Sequence, residues 1–207
     1  MKLSSSGLSI LTDSSSIVAS FPSKGDVSGR LSATGDTVSV KLLYLLRHAK
    51  SDRGDPEMSD RERPLAPRGV HASNDLASRL RNARVAPTLV LCSTAVRARQ
   101  TLELVAPALG GQVEISYEDE LYGASVADVL ERLRKVPASV PSVMVVGHNP
   151  TIQDLTLELA APGRELDNVR LKFPTAAVAT LKFDRKGWDT LGRGSAELVG
   201  FLTPRAR

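Results

Sequence analysis

From Lys41 onward, short apolar runs suited to buried strands alternate with longer segments of helical periodicity, and this alternation restricts the fold more than any other feature. The runs are KLLYLL (41–46), TLVLCS (88–93), VEISY (113–117) and SVMVVG (142–147), followed by AAVATLKF (176–183) and AELVGFL (196–202). The spacing predicts helices near residues 68–82, 95–109 and 126–136. A further helix is expected to begin at Asn149-Pro150, where Asn suits a cap and Pro the first turn. Strands alternating with helices bury their faces best as an α/β protein, a three-layer α/β/α sandwich with a mostly parallel central sheet. The last run is expected to be an antiparallel edge strand.

A chain of 207 residues suffices for one well-buried domain. No apolar stretch approaches the roughly 18 residues that cross a bilayer, so no membrane partner is expected. The net charge of +4 comes from basic and acidic residues that are interspersed, and only 4% of residues are aromatic. That pattern speaks against a nucleic-acid partner and leaves anionic substrates open. Cys92 is the single cysteine, which excludes an internal disulfide and a thiolate metal cluster. Three histidines without close ligand spacing argue against zinc, and neither metal nor cofactor is expected. These features fit a reducing compartment, and a cytoplasmic location is expected.

Residues 1–40 contain twelve serines and no sustained periodicity, and are read as a disordered, dispensable extension ahead of a domain at 41–207. An organellar transit peptide is the alternative, but this segment balances three basic residues (Lys2, Lys24, Arg30) with three acids (Asp13, Asp26, Asp36). Transit peptides are rich in Arg and poor in acids.

Three polar landmarks follow strand-like runs: Arg47-His48 after the first, Ser93 to Arg97 after the second, and Gly147-His148 after the fourth. In a parallel sheet the carboxyl ends of the strands share one edge, and ligands bind there. Two Arg and two His gathered at that edge suit a phosphoryl group, because guanidinium forks grip phosphate oxygens and imidazole can act as a nucleophile. Neighbouring arginines disfavour the charged form of His48 and leave a lone pair for attack on phosphorus. Arg47, Arg97 and a protonated His148 would then offset charge in the transition state. An isolated Arg-His pair would be read as a solvated strand end, and His148 alone as a helix cap. The three landmarks together favour catalysis. Arg99 shares a helix with Arg97 and is expected to point away. His71 is expected on a helix surface, Cys92 buried in its strand, and Trp188 and Phe173 in the core or at its edge.

The motifs LLRHAKS, CSTAVRARQTLE and VVGHNP, in this order and spacing, resemble the histidine phosphatase superfamily, and RPLAPRG (63–69) and ELYGAS (120–125) are similar to its SixA-type branch. The resemblance covers about residues 41–203 and implies a phosphoglycerate-mutase-like fold. It further implies that His48 is the phosphorylated nucleophile, that Arg47, Arg97 and His148 form the phosphate pocket, and that Arg63 lies near it. Ser51 is expected to bond either the loop or the phosphate. Ala49 stands where the superfamily commonly has Gly. Larger members carry a general acid after the third strand, for which Asp119 and Glu120 are the candidates here; SixA-type members resemble one another in lacking a clear one. The implied activity is a metal-independent phosphatase, its partner a phosphorylated protein bearing phosphohistidine. Rival readings are a phosphatase for a small phosphorylated metabolite and a non-catalytic phosphate-binding module.

Overall fold

The structure is a computed structural model that describes residues 40–54, 56–184 and 187–204. The proposed extension at 1–40 therefore lies, except for Val40, outside the described residues. Six strands form one sheet: β1 (Val40–Arg47), β2 (Leu89–Ser93), β3 (Glu114–Glu118), β4 (Ser142–Gly147), β5 (Val178–Asp184) and β6 (Glu197–Leu202). Their spatial order is β3-β2-β4-β1-β5-β6. The first four are mutually parallel, whereas β5 runs antiparallel to both β1 and β6. The sheet is thus mostly parallel, as expected, and β6 is the antiparallel edge.

Period-two alternation sends the strand side chains to two separate cores. Leu43 and Leu45 of β1, Leu89 and Leu91 of β2, and Val143 and Val145 of β4 join one cluster. Their neighbours Tyr44, Leu46, Val90, Cys92, Met144 and Val146 join the other. Helices α1 (Pro67–Asn82) and α2 (Val96–Val105) cover the second cluster. Helices α3 (Val126–Arg134), α4 (Thr151–Leu159) and α5 (Glu165–Leu171) cover the first, with Phe173 and Trp188 fully inside it. The result is the three-layer α/β/α sandwich.

Local chemistry sets the helix limits. Pro67 occupies the first turn of α1, where its missing N–H costs nothing. Ser125 and Asp128 close a reciprocal capping box at the start of α3. Helix α2 gives way to a 3-10 turn at Ala106–Ala108, shorter than the predicted 95–109, because Pro107 enters there. The fourth helix also departs from expectation. Pro150 is the cap and α4 begins at Thr151, while Asn149 turns its side-chain amide to Gln153 and the Phe173 carbonyl instead of capping. Helix α5 was not anticipated.

Lys41 points inward yet is satisfied. Its ammonium donates to the carbonyls of Ala138 (2.7 Å) and Val140 (3.1 Å) and lies over the Trp188 ring. A buried cation needs such partners to offset lost hydration. Among the described residues no helix is long and apolar enough to cross a membrane.

Candidate active site

Register brings the site together. Arg47 ends β1 opposite Gly147 at the end of β4, so His48 and His148 leave adjacent strands side by side. The His48 amide donates to the Gly147 carbonyl at 3.0 Å, and the two imidazole centroids stand 4.9 Å apart. Strand β2 lies on the other side of β4 and delivers Ser93; after Thr94 and Ala95, α2 begins and presents Arg97.

His48 is buried, and its Nδ1 lies 2.7 Å from the Ala49 carbonyl. A carbonyl only accepts, so Nδ1 carries the proton and Nε2 holds the lone pair. Arg97 Nε donates to that Nε2 at 3.3 Å. Burial, first, and then the charges of His148, Arg97 and Arg47 push the His48 pKa down to about 3, against the opposing pull of the Ala49 carbonyl. His48 is therefore neutral at pH 7, with its Nε2 lone pair unprotonated. The small residue at position 49 is wholly buried, with its amide donating to Thr101 Oγ1 at 2.9 Å. It leaves the loop intact.

His148 differs from the sequence expectation. Arg97 Nη2 can only donate toward its Nδ1 (3.4 Å), which leaves Nε2–H to donate to Ser93 Oγ at 2.9 Å. Burial and the charges of Arg97 and Arg47 outweigh the pull of Asp60 and bring its pKa to about 4. The ring is therefore neutral at pH 7, not protonated, in these surroundings. A dianion placed beside it would raise its affinity for a proton.

Both arginines are aimed. Arg47 Nη1 donates to the Phe173 carbonyl at 2.6 Å, and Arg47 Nε is buried without a hydrogen-bond partner. Arg97 is buried and gripped by Asp60, whose carboxylate takes Nη2 at 2.8 Å and whose backbone carbonyl takes Nη1. Arg99 is exposed and faces the Tyr117 ring, as its position on α2 predicts.

Asp60 and Tyr122 were not anticipated. The Asp60 carboxylate also accepts from Tyr122 Oη at 3.0 Å and from Arg63 Nη1 at 2.9 Å. Burial pulls its pKa up, but the bonds from Tyr122 and Arg97 and the charges of Arg97 and Arg63 outweigh that and hold it below the usual carboxylate range. The Tyr122 ring meets His148 edge-on at 5.7 Å. Asp60 precedes Arg63 by three residues in the segment leading to RPL, a spacing that signals an ion pair without showing which arginine it also serves.

Arg63 therefore reaches the site at one remove, through Asp60, while its Nε holds the Asp52 carbonyl at 2.7 Å. Ser51 pairs with Leu65 across the loop and accepts from Arg63 at 3.4 Å, which places it with the loop and not with the imidazoles. Asp119 sits in a 3-10 turn, ion-paired to Arg61 and accepting from Thr94 Oγ1 at 2.5 Å. The Thr94 bond, foremost, holds it below the usual range despite an opposing desolvation, so it has no proton to give at pH 7. Glu120 is exposed and lines a separate cavity with Glu118 and Asp128. His71 is exposed, and burial pushes the Cys92 thiol up to about 12. Among the described residues no group of three His, Cys, Asp or Glu side chains is placed to hold a metal ion.

Gly69 has a reason that the RPLAPRG motif did not disclose. A Cβ there would stand 2.1 Å from the Lys50 carbonyl oxygen. Helix α1 thus buttresses the loop that carries His48.

The family model described as histidine phosphatase superfamily (branch 1) matches residues 43–124. An uncharacterized protein of Mycobacterium tuberculosis is 39% identical over 164 residues, spanning 77% of this chain and 100% of that protein. The phosphohistidine phosphatase SixA of Escherichia coli is 31% identical over 149 residues, covering 70% of this chain and 87% of that protein. The solved structure of a SixA-type protein from Nakamurella multipartitia superposes with a TM-score of 0.71 at 33% identity, covering 81% of this chain and 98% of that one. The sandwich is accordingly the phosphoglycerate-mutase-like fold that the motifs implied.

Proposed function

The chain belongs to the histidine phosphatase superfamily and to its SixA type, and on that premise we propose that it removes phosphate from protein phosphohistidine through a phosphohistidine formed on its own His48. The observation that carries this reading is the state of His48. Its Nδ1–H is fixed on the Ala49 carbonyl, and its Nε2 lone pair faces Arg97.

The chemistry balances without a general acid. When the substrate ring is protonated on its other nitrogen, Nε2 of His48 bonds to phosphorus as the substrate P–N bond breaks, and the substrate imidazole leaves neutral. His48 becomes a phosphoimidazolium whose Nδ1–H stays on Ala49. Water then attacks phosphorus, Nε2 leaves neutral, and both water protons depart on dihydrogen phosphate. Arg97, Arg47 and His148 would hold the equatorial oxygens. A phosphoester, by contrast, expels an alkoxide that needs a proton, and Asp119 is held ionised. No step passes through a metal ion.

Wild type and His48→Ala are to be compared on a histidine-phosphorylated protein and on p-nitrophenyl phosphate. The reading expects wild type to release phosphate from the first with the higher kcat/KM and the variant to be inactive on both. Cleavage of the ester alone would leave a superfamily phosphatase and discard the phosphohistidine substrate. Equal turnover by both proteins would discard catalysis by His48.

A further inference from the structure

A groove of about 890 Å³ opens beside Arg47, and the chemistry above leaves it unused. Arg47 and Lys50 line it from the loop, Arg68, His71 and Asp75 from α1, and Lys172 from the segment before β5. Positions 68, 71 and 75 recur at helical spacing, so one face of α1 forms a wall. Four cations meet one carboxylate. The first turn of α1 holds no acid and its cap makes no side-chain bond, so the positive end of this 16-residue helix adds to the field. The Lys50 ammonium is held below its ordinary range, first by burial and then by the charges of Arg68, Arg53, Arg47 and Arg63.

The cavity next to β3, the far edge of the sheet, is mixed in charge: Glu118, Glu120 and Asp128 line it together with Arg132, which pairs with Glu118 at 2.7 Å. The basic groove lies toward β5 and holds a clear excess of positive charge. Neither imidazole lines this groove, so a lone phosphoryl group on His48 has no need of Arg68 or Lys172. Both are exposed, and they suit an extended run of carboxylates.

We propose that this groove seats an acidic stretch of the phosphoprotein, its carboxylates on Arg68, Lys172 and Lys50 while the phosphoryl group reaches His48. The proposal rests on the phosphohistidine reading and names the surface chemistry of that substrate. Complementary charge of this kind acts mainly on encounter and orientation, with effects of roughly 10- to 1000-fold that fall with salt.

The test uses the Arg68→Glu/Lys172→Glu double variant, with two histidine-phosphorylated peptides, one flanked by Glu and one by Lys. At low salt wild type should favour the Glu-flanked peptide by about tenfold or more in kcat/KM, mostly through KM, and the variant should lose or invert that preference. Turnover of p-nitrophenyl phosphate should stay within about threefold in the variant, which also reports that it folds. The same preference in both proteins would overturn the proposal. A second arm measures anisotropy of a labelled Glu-rich peptide without phosphate, expected to bind wild type at least about tenfold more tightly than the variant. If wild type cleaves neither phosphopeptide, the phosphohistidine reading fails and this arm decides the groove alone. Equal or undetectable binding there would overturn it.

Discussion

Replacing Gly69 by Ala probes whether the position of His48 depends on how closely α1 packs against the loop that carries it. The new Cβ would lie 2.1 Å from the Lys50 oxygen, 3.0 Å from its carbon and 3.1 Å from its nitrogen, all backbone atoms. Ordinary contact begins at 3.4 Å, so the two segments must part by about 1.3 Å (3.4 − 2.1). That oxygen also accepts the Ala66 amide at 2.9 Å, so the strain falls on the junction between α1 and the loop. Lys50 is two residues from His48, and a displacement of about 1 Å at a catalytic group costs about 100-fold in rate. Stability should change less. Overpacking costs about 1–3 kcal/mol, and the better helix propensity of Ala returns up to about 1 kcal/mol. The expected signature is a kcat lowered about 100-fold on p-nitrophenyl phosphate with a fall in Tm of no more than about 8 °C. A kcat within about threefold of wild type would refute the idea that α1 sets the position of His48.

Arg97→Ala should lower kcat/KM by about 100- to 1000-fold, because it removes a fork from both imidazoles, whereas exposed Arg99→Ala should change it less than about threefold; steady-state kinetics on one phosphoester separates the two. His48 and His148 titrate at about 3 and about 4 in the folded chain against an ordinary 6.5. The stability carried by their neutral rings is present above pH 6.5 and is lost as pH falls through 4 and 3. The Tm of wild type should therefore fall between pH 6.5 and 4.5 more steeply than that of His48→Gln/His148→Gln, and parallel curves would contradict the assignment. Cys92 is buried with its thiol pushed up to about 12, so iodoacetamide at pH 7.5 should leave activity intact. Rapid inactivation that a Cys92→Ala variant escapes would show the thiol to be accessible.

His48, Arg97 and His148 were legible in the sequence because each follows a parallel strand, and the Arg47–Gly147 register turns distance along the chain into adjacency. Strands β1, β2 and β4 announced themselves by continuous apolar runs largely buried on both faces. Asp60 and Tyr122 were not legible, since their bonds to each other and to Arg97 span 62 and 37 residues and arise in segments with no period to read. Helix α5 has seven residues, with only Leu166 and Val169 buried, too short a pattern to distinguish from a loop. The burial of Lys41 at the start of β1 was not legible either, since it is matched by the carbonyls of Ala138 and Val140, about a hundred residues away. The neutrality of His148 likewise depends on burial beside Arg97, which no local pattern encodes. Asp119 and Glu120 were singled out by position after β3, yet Arg61 and Thr94 hold Asp119 in the ionised form and Glu120 lines a separate cavity.

The central claim is that Nε2 of His48 bonds covalently to phosphorus. It is tested most directly by rapid quenching into alkali during turnover of a phosphohistidine peptide labelled in its phosphoryl group, followed by peptide mapping of the enzyme. The account predicts acid-labile label on the peptide containing His48, attached at Nε2, forming at least as fast as phosphate is released, and absent from His48→Asn. Full turnover by wild type with no label ever bound to the enzyme, or label found on His148 in place of His48, would contradict it.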